Sequence, residues 1–117
     1  MNGSAESLGK CLVTGGRGFL GSRLLSLLQQ EGHQVRVVLR EPAILPGSPE
    51  VCLGSLGQSG KNFPYREALE GIDTVFHLAA TAHTHAVASQ YRSDCEASLE
   101  LARQAQLQGV RRFVFVS

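Results

Sequence analysis

Gly15, Gly18 and Gly21 stand three apart in Thr14-Gly15-Gly16-Arg17-Gly18-Phe19-Leu20-Gly21, directly after the apolar run Lys10-Cys11-Leu12-Val13-Thr14. Leu20, Leu24, Leu27 and Leu28 then recur at i, i+4, i+7 and i+8, which is one face of a helix. A helix that opens on glycine offers unpaired N–H groups and the positive end of its macrodipole to whatever lies before it. Such a terminus suits an anion that must approach the backbone closely, and a pyrophosphate is the natural candidate. On this reading Gly15 permits the sharp turn, Gly18 lets the phosphates come near, and Gly21 lets the helix pack on the strand. The backbone amides of Phe19 and Leu20 are the expected donors. Glycine turns also serve plain strand–helix corners, so the triplet alone is weak evidence. Its context favours nucleotide binding, because the triplet follows a strand, opens a helix and precedes a second strand. No Gly-Lys-Ser/Thr follows the turn, which excludes the phosphate-loop NTPase form.

The second strand, Gln34 to Arg40, is rich in β-branched residues and completes a βαβ unit, so it should run parallel to the first. Its tip selects the cofactor. An acidic residue about 20 positions past the glycines holds the ribose hydroxyls of NAD, whereas an arginine suits the 2′-phosphate of NADP. Arg40 lies 19 positions after Gly21 and Glu41 lies 20 after it. Arg40 ends the strand itself, and a guanidinium fork matches phosphate geometry, so NADP is favoured over NAD. Arg17 in the turn would add a second positive charge. The plainer possibility is that Arg40 is a solvated strand-end charge. An S-adenosylmethionine site shares the glycine turn but wants an acid at this strand end, which Arg40 disfavours.

Other elements must hold that unit in place. Glu41 to Pro64 contains all four prolines and reads mostly as loop, with Glu50-Val51-Cys52-Leu53 as a short third strand. Tyr65 to Leu69 predicts a short helix, and Asp73 to Leu78 a fourth strand apolar enough to be buried on both faces. From Gln90 to Gln108 the positions Tyr91, Cys95, Leu99 and Ala102 keep helical spacing, and Arg112 to Ser117 predicts a fifth strand. Strands alternating with helices make a parallel α/β sheet covered on both faces.

With these residues in place, the sequence resembles a known family. Thr14 to Gly21, His77-Leu78-Ala79-Ala80 and Gly109 to Ser117 resemble the extended short-chain dehydrogenase/reductases, and within them the NAD-dependent epimerase/dehydratase group that acts on nucleotide sugars. Tyr91 to Ser117 is most similar to bacterial epimerases and 4-keto reductases of surface-polysaccharide sugars. The resemblance implies a Rossmann-type doubly wound sheet with strands in the order 3-2-1-4-5, ending after strand five, as one NAD(P)-binding domain over residues 1–117. It places Arg40 at the adenosine ribose and Ser55-Leu56 beside the adenine, where the family usually has Asp-Leu or Asp-Ile. It places Ala79, Ala80 and Thr81 along the cofactor, and puts Asp94 where Asn is common. The family's chemistry uses a Tyr with a Lys four residues later, yet Leu69 follows Tyr65 and Cys95 follows Tyr91 at that spacing. No catalytic residue is therefore assigned. The chain is expected to be the amino-terminal part of a longer enzyme and inactive alone, its sugar-binding portion lying elsewhere. The competing function is a non-catalytic NAD(P)-binding regulator or redox sensor on the same scaffold.

Composition bounds these readings. The chain has 117 residues, 43% hydrophobic and 18% charged, with 11 basic against 10 acidic side chains. That length supports one core and a single domain. The near-neutral balance argues against nucleic acid or an anionic membrane as partner. No apolar run reaches the ~18 residues of a membrane span, and Met1 to Glu6 is polar, so no secretory signal is expected. Cys11, Cys52 and Cys95 are odd in number and far apart, which suits reduced thiols in a cytoplasmic protein. His83 and His85 lack further ligands for a metal. His77, inside a buried strand, is expected to be a hydrogen-bonded structural imidazole rather than a base, and Cys95 to pack in the core or at an interface. A homodimer through the Gln90–Gln108 helix gains if Leu101 and Ala105 are exposed.

Overall fold

The structure, a computed structural model, describes residues 7–78 and 88–116. Its elements run β1 (Cys11–Thr14), α1 (Phe19–Gln30), β2 (Val35–Leu39), β3 (Glu50–Leu53), a single 3-10 turn (Gln58–Gly60), α2 (Tyr65–Leu69), β4 (Thr74–Leu78), α3 (Ala88–Leu107) and β5 (Arg112–Val116). All four strand pairings are parallel, and the sheet order is β3-β2-β1-β4-β5. The chain thus winds outward from β1 to β3 and then crosses back to β4. That reversal leaves a crevice at the C-terminal ends of β1 and β4, the usual place for a ligand in an open α/β sheet.

Each face of the sheet buries its own cluster. Val13, Val37, Leu39 and Leu78 pack with Leu25 and Leu28 of α1 on one side. Leu12, Val38, Cys52 and Val75 pack with Ala68, Leu69, Leu101 and Ala105 on the other. β1 is buried throughout, as a central parallel strand covered on both faces should be.

Both long helices sit in a different rotation from the one their leucines suggest. In α1 the buried residues are Gly21, Leu25 and Leu28, while Leu20 and Leu27 are 53% and 54% exposed. Gly21 sets this rotation, because only its bare backbone fits against the Gly15 carbonyl; an added methyl would lie 2.0 Å from that oxygen. In α3 the buried stripe is Ala97, Leu101 and Ala105, whereas Cys95 is exposed and Leu99 is 71% exposed. Ala97 lets α3 lie close against Gly60 of the 3-10 turn, and a hydrogen bond from α3 to β4 fixes its rotation. Cys95 is therefore not a core residue, and Leu101 and Ala105 give a homodimer no exposed stripe.

Candidate functional site

The β1–α1 turn divides its three glycines by purpose. Gly15 has φ +74°, a left-handed conformation that side chains rarely adopt, and it packs directly on Leu78 at the end of β4. Gly21 is required by the close packing of α1 on the turn. Gly18 is required by neither. Its torsions, φ −72° and ψ 173°, suit any residue, and a methyl there would meet only the Gly15 carbonyl at an ordinary 3.6 Å. A fold that does not need glycine at this point leaves open space over the helix terminus, which is the space a close-packed anion would fill.

The donors beside that space are unmet. The Gly18 N–H bonds the Gly15 carbonyl at 3.2 Å, and Ser22 N–H bonds the Gly18 carbonyl at 2.9 Å. The first turn of α1 has no side-chain cap and no acidic residue, so among the described residues nothing satisfies the amides of Phe19 and Leu20. The macrodipole adds positive potential at the same point. Phe19 and Leu20 themselves point their side chains to solvent, and the Arg23 guanidinium lies 5.8 Å from the Phe19 ring.

Arg40 follows the last residue of β2 and is exposed, as is Glu41. Gly54 N–H donates to the Leu39 carbonyl at 2.9 Å, which brings the loop after β3 to this same strand end. Ser55 is exposed there, its hydroxyl accepting the Gly57 N–H at 3.3 Å, while Leu56 tucks partly against the core. Arg17 is exposed in the turn and lines a cavity of about 200 Å³ between α1 and the Leu45–Pro46 segment. Among the described residues, neither Arg17 nor Arg40 forms an ion pair. The structure thus brings Gly15, Gly18, Phe19, Leu20, Gly21, Arg40, Ser55 and Leu56 to one edge of the sheet. Ala79, Ala80 and Thr81, with His83 and His85, lie outside the described residues.

His77 is buried and paired at both ring nitrogens, with Thr14 Oγ1 2.6 Å from Nδ1 and Ser98 Oγ 2.8 Å from Nε2. Burial pushes its pKa down to about 4, so the ring is neutral at ordinary pH. Sequence reasoning foresaw a satisfied imidazole here, but not Ser98, whose helical position carries no such signal. Tyr65 is also structural. Its hydroxyl donates to the Gly60 carbonyl at 2.7 Å, its ring meets Phe63 edge-on, and burial raises its pKa. The cysteines are free thiols, and burial, with Asp73 nearby, raises that of Cys11 to about 11. Among the described residues no three His, Cys, Asp or Glu side chains gather to hold a metal, and no helix is long and apolar enough to cross a membrane.

A parallel sheet in this order, with a glycine-rich turn between β1 and α1, is the Rossmann-type fold. The chain belongs to the NAD-dependent epimerase/dehydratase family, whose model matches residues 11–117. It is 38% identical to a 3β-hydroxysteroid dehydrogenase/Δ5→4-isomerase from Mycobacterium tuberculosis, over 94% of this chain and 32% of that protein. Among solved structures it resembles MoeE5 in complex with UDP-glucose and NAD, at 34% identity and a TM-score of 0.74, over 92% of this chain and 36% of that one. It also resembles a short-chain dehydrogenase/reductase superfamily protein from Agrobacterium tumefaciens with bound NAD, at 30% identity and a TM-score of 0.73, over 91% of this chain and 31% of that one. The chain spans about a third of the length of these relatives.

Proposed function

We propose that this chain is the dinucleotide-binding, amino-terminal portion of an NAD(P)-dependent epimerase, dehydratase or reductase, and that it prefers NADP. The observation that carries the reading is Gly18, a glycine with no structural need for it, in front of amides with no acceptor among the described residues. When bound, the nicotinamide would accept or return a hydride at a carbinol or ketone carbon of the substrate. The residues of this chain bind and orient. Gly15, Gly18 and Gly21 with the amides of Phe19 and Leu20 hold the pyrophosphate, and Arg40 holds the 2′-phosphate with Arg17 close by. Ser55 and Leu56 border the adenine, and the family resemblance assigns Ala79, Ala80 and Thr81, which lie outside the described residues, to cofactor contact. The family's Asp at the position of Ser55 is missing, so the adenine amine loses a carboxylate acceptor.

The proposed substrate is a nucleotide sugar, handled in the cytoplasm by the longer protein; the likeness to the UDP-glucose-bound MoeE5 supports this. A hydroxysteroid is the second reading, supported by the 38% identity to the mycobacterial steroid dehydrogenase. Neither tyrosine has the family's lysine partner, so residues 1–117 alone should reduce no cofactor with either substrate class. The cofactor assignment is tested by titrating NADP and NAD into the wild type and into Arg40→Ala. Tighter NADP binding that collapses to the NAD value in the variant is expected. Equal affinities in the wild type, or an undiminished preference in the variant, would make Arg40 a surface charge only.

A further inference from the structure

The buried contact set around His77 joins three elements through one ring. Leu78 N–H donates to Thr14 Oγ1 at 3.2 Å, so that oxygen already accepts one hydrogen bond. The hydroxyl proton of Thr14 then has one acceptor in reach among the described residues, His77 Nδ1 at 2.6 Å. Nδ1 must therefore carry a lone pair, the ring proton sits on Nε2, and Nε2–H donates to Ser98 Oγ at 2.8 Å. The chain of donors runs from Leu78 to Thr14 to His77 to Ser98. Thr14 and His77 are 3% and 6% exposed, and the rings of Phe113 and Phe115 lie 6.2 and 5.4 Å from the imidazole. Water has little access to exchange partners in this set.

Thr14 is also the residue before Gly15, and Gly15 rests on the carbonyl and side chain of Leu78. The side-chain bonds of Thr14 therefore clamp the end of β1 to the end of β4 at the root of the glycine turn. We infer that His77 is a positioning residue, fixed as the Nε2–H tautomer, that sets the Gly15–Gly18 turn by accepting the Thr14 hydroxyl. It touches no cofactor itself; its effect passes through Thr14. This inference rests on the assignment of the turn to a pyrophosphate only for its effect on affinity, while its effect on the turn stands apart from any ligand.

Two substitutions separate the two ring nitrogens. His77→Asn keeps an acceptor near the Nδ1 position and loses the reach to Ser98, while His77→Gln keeps a donor near Nε2 and loses Thr14. Amide exchange of Leu78 and Gly18 is read first, without ligand, and the NADP dissociation constant second. In His77→Gln both amides should exchange about tenfold faster and NADP should bind about tenfold more weakly, the loss expected of one hydrogen bond. His77→Asn should stay within about threefold of the wild type in both, even if less stable. Faster exchange in His77→Gln without NADP binding by the wild type would uphold the positioning role and refute the cofactor assignment. Unchanged exchange in His77→Gln, with the wild type binding NADP, would overturn the positioning role alone. If neither variant folds, the ring ¹⁵N shifts of the wild type decide: a proton on Nε2 supports the inference, and a proton on Nδ1 overturns it.

Discussion

At the N-terminal ends of the strands, Lys10 Nζ and Arg36 Nε both reach Glu50, at 2.9 and 2.8 Å. Arg36 also donates to the carbonyls of Glu67, Ala68 and Glu70 at the end of α2, and Asp73 accepts the Lys10 N–H. At the C-terminal ends, Arg17 and Arg40 face solvent, the first amides of α1 have no cap, and Gly18 guards an open space. The two ends have the same kinds of groups and use them differently. Below, charge is consumed by the fold: Arg36 satisfies carbonyls that the short helix α2 leaves unpaired. Above, charge and donors are held ready, and the fold gains nothing from them. That asymmetry, more than the glycine pattern, supports the proposal that the upper edge is the working one.

Gly21 is the position most sensitive to substitution. A methyl there would collide with backbone at 2.0 Å, so Gly21→Ala should cost on the order of 3 kcal/mol and be visible in thermal unfolding. A stable Gly21→Ala protein would mean that the turn is looser than described. The clamp beneath the turn gives a pH dependence of similar size. The His77 pKa is lowered by burial from 6.5 to about 4, so the unfolded chain binds a proton that the native state refuses. Stability is full above pH 6.5 and falls as pH drops toward 4, by about 3 kcal/mol at one pKa unit per 1.4 kcal/mol. Denaturant midpoints across this range should shift in the wild type and much less in His77→Asn; parallel profiles would assign the acid sensitivity elsewhere. Arg40→Ala should weaken NADP by about 1.5–3 kcal/mol and leave NAD and the melting temperature nearly unchanged. The smallest effect belongs to the lower edge. Lys10→Met removes one arm of an exposed pair and should cost under about 1 kcal/mol, without altering cofactor affinity. A loss of affinity there would end the division between the two edges.

Much of this was legible in the residues, and the failures have definite causes. The five strands follow from apolar runs separated by helical spacing, their order was implied by the family resemblance, and the turn announces itself through Gly15, Gly18 and Gly21. The rotation of the helices was not legible. Leucine spacing put Leu20 and Leu27 inside, but Gly21 must face the turn, and that constraint depends on a contact with Gly15. In α3, Leu99 outranks Ala97 in hydropathy, yet close approach to Gly60 of the 3-10 turn and the Ser98–His77 bond favour Ala97. Hydropathy reads burial preference and is blind to how near two backbones must come. For the site, the sequence supplied Arg40 as a charge at a strand end; that it stands without an ion pair among the described residues is a fact of three dimensions.

If Gly18 is kept for a ligand and not for the fold, as proposed, stability and affinity must part company at this one position. Gly18→Ala and Gly18→Val would be melted and then titrated with NADP by calorimetry alongside the wild type. Gly18→Ala should unfold within about 0.5 kcal/mol of the wild type, since its reduced unfolded-state entropy offsets the weaker helix N-cap. NADP binding should be weakened in Gly18→Ala and abolished in Gly18→Val. A folded Gly18→Val protein that binds NADP as the wild type does would contradict the account, and so would a Gly18→Ala protein that fails to fold.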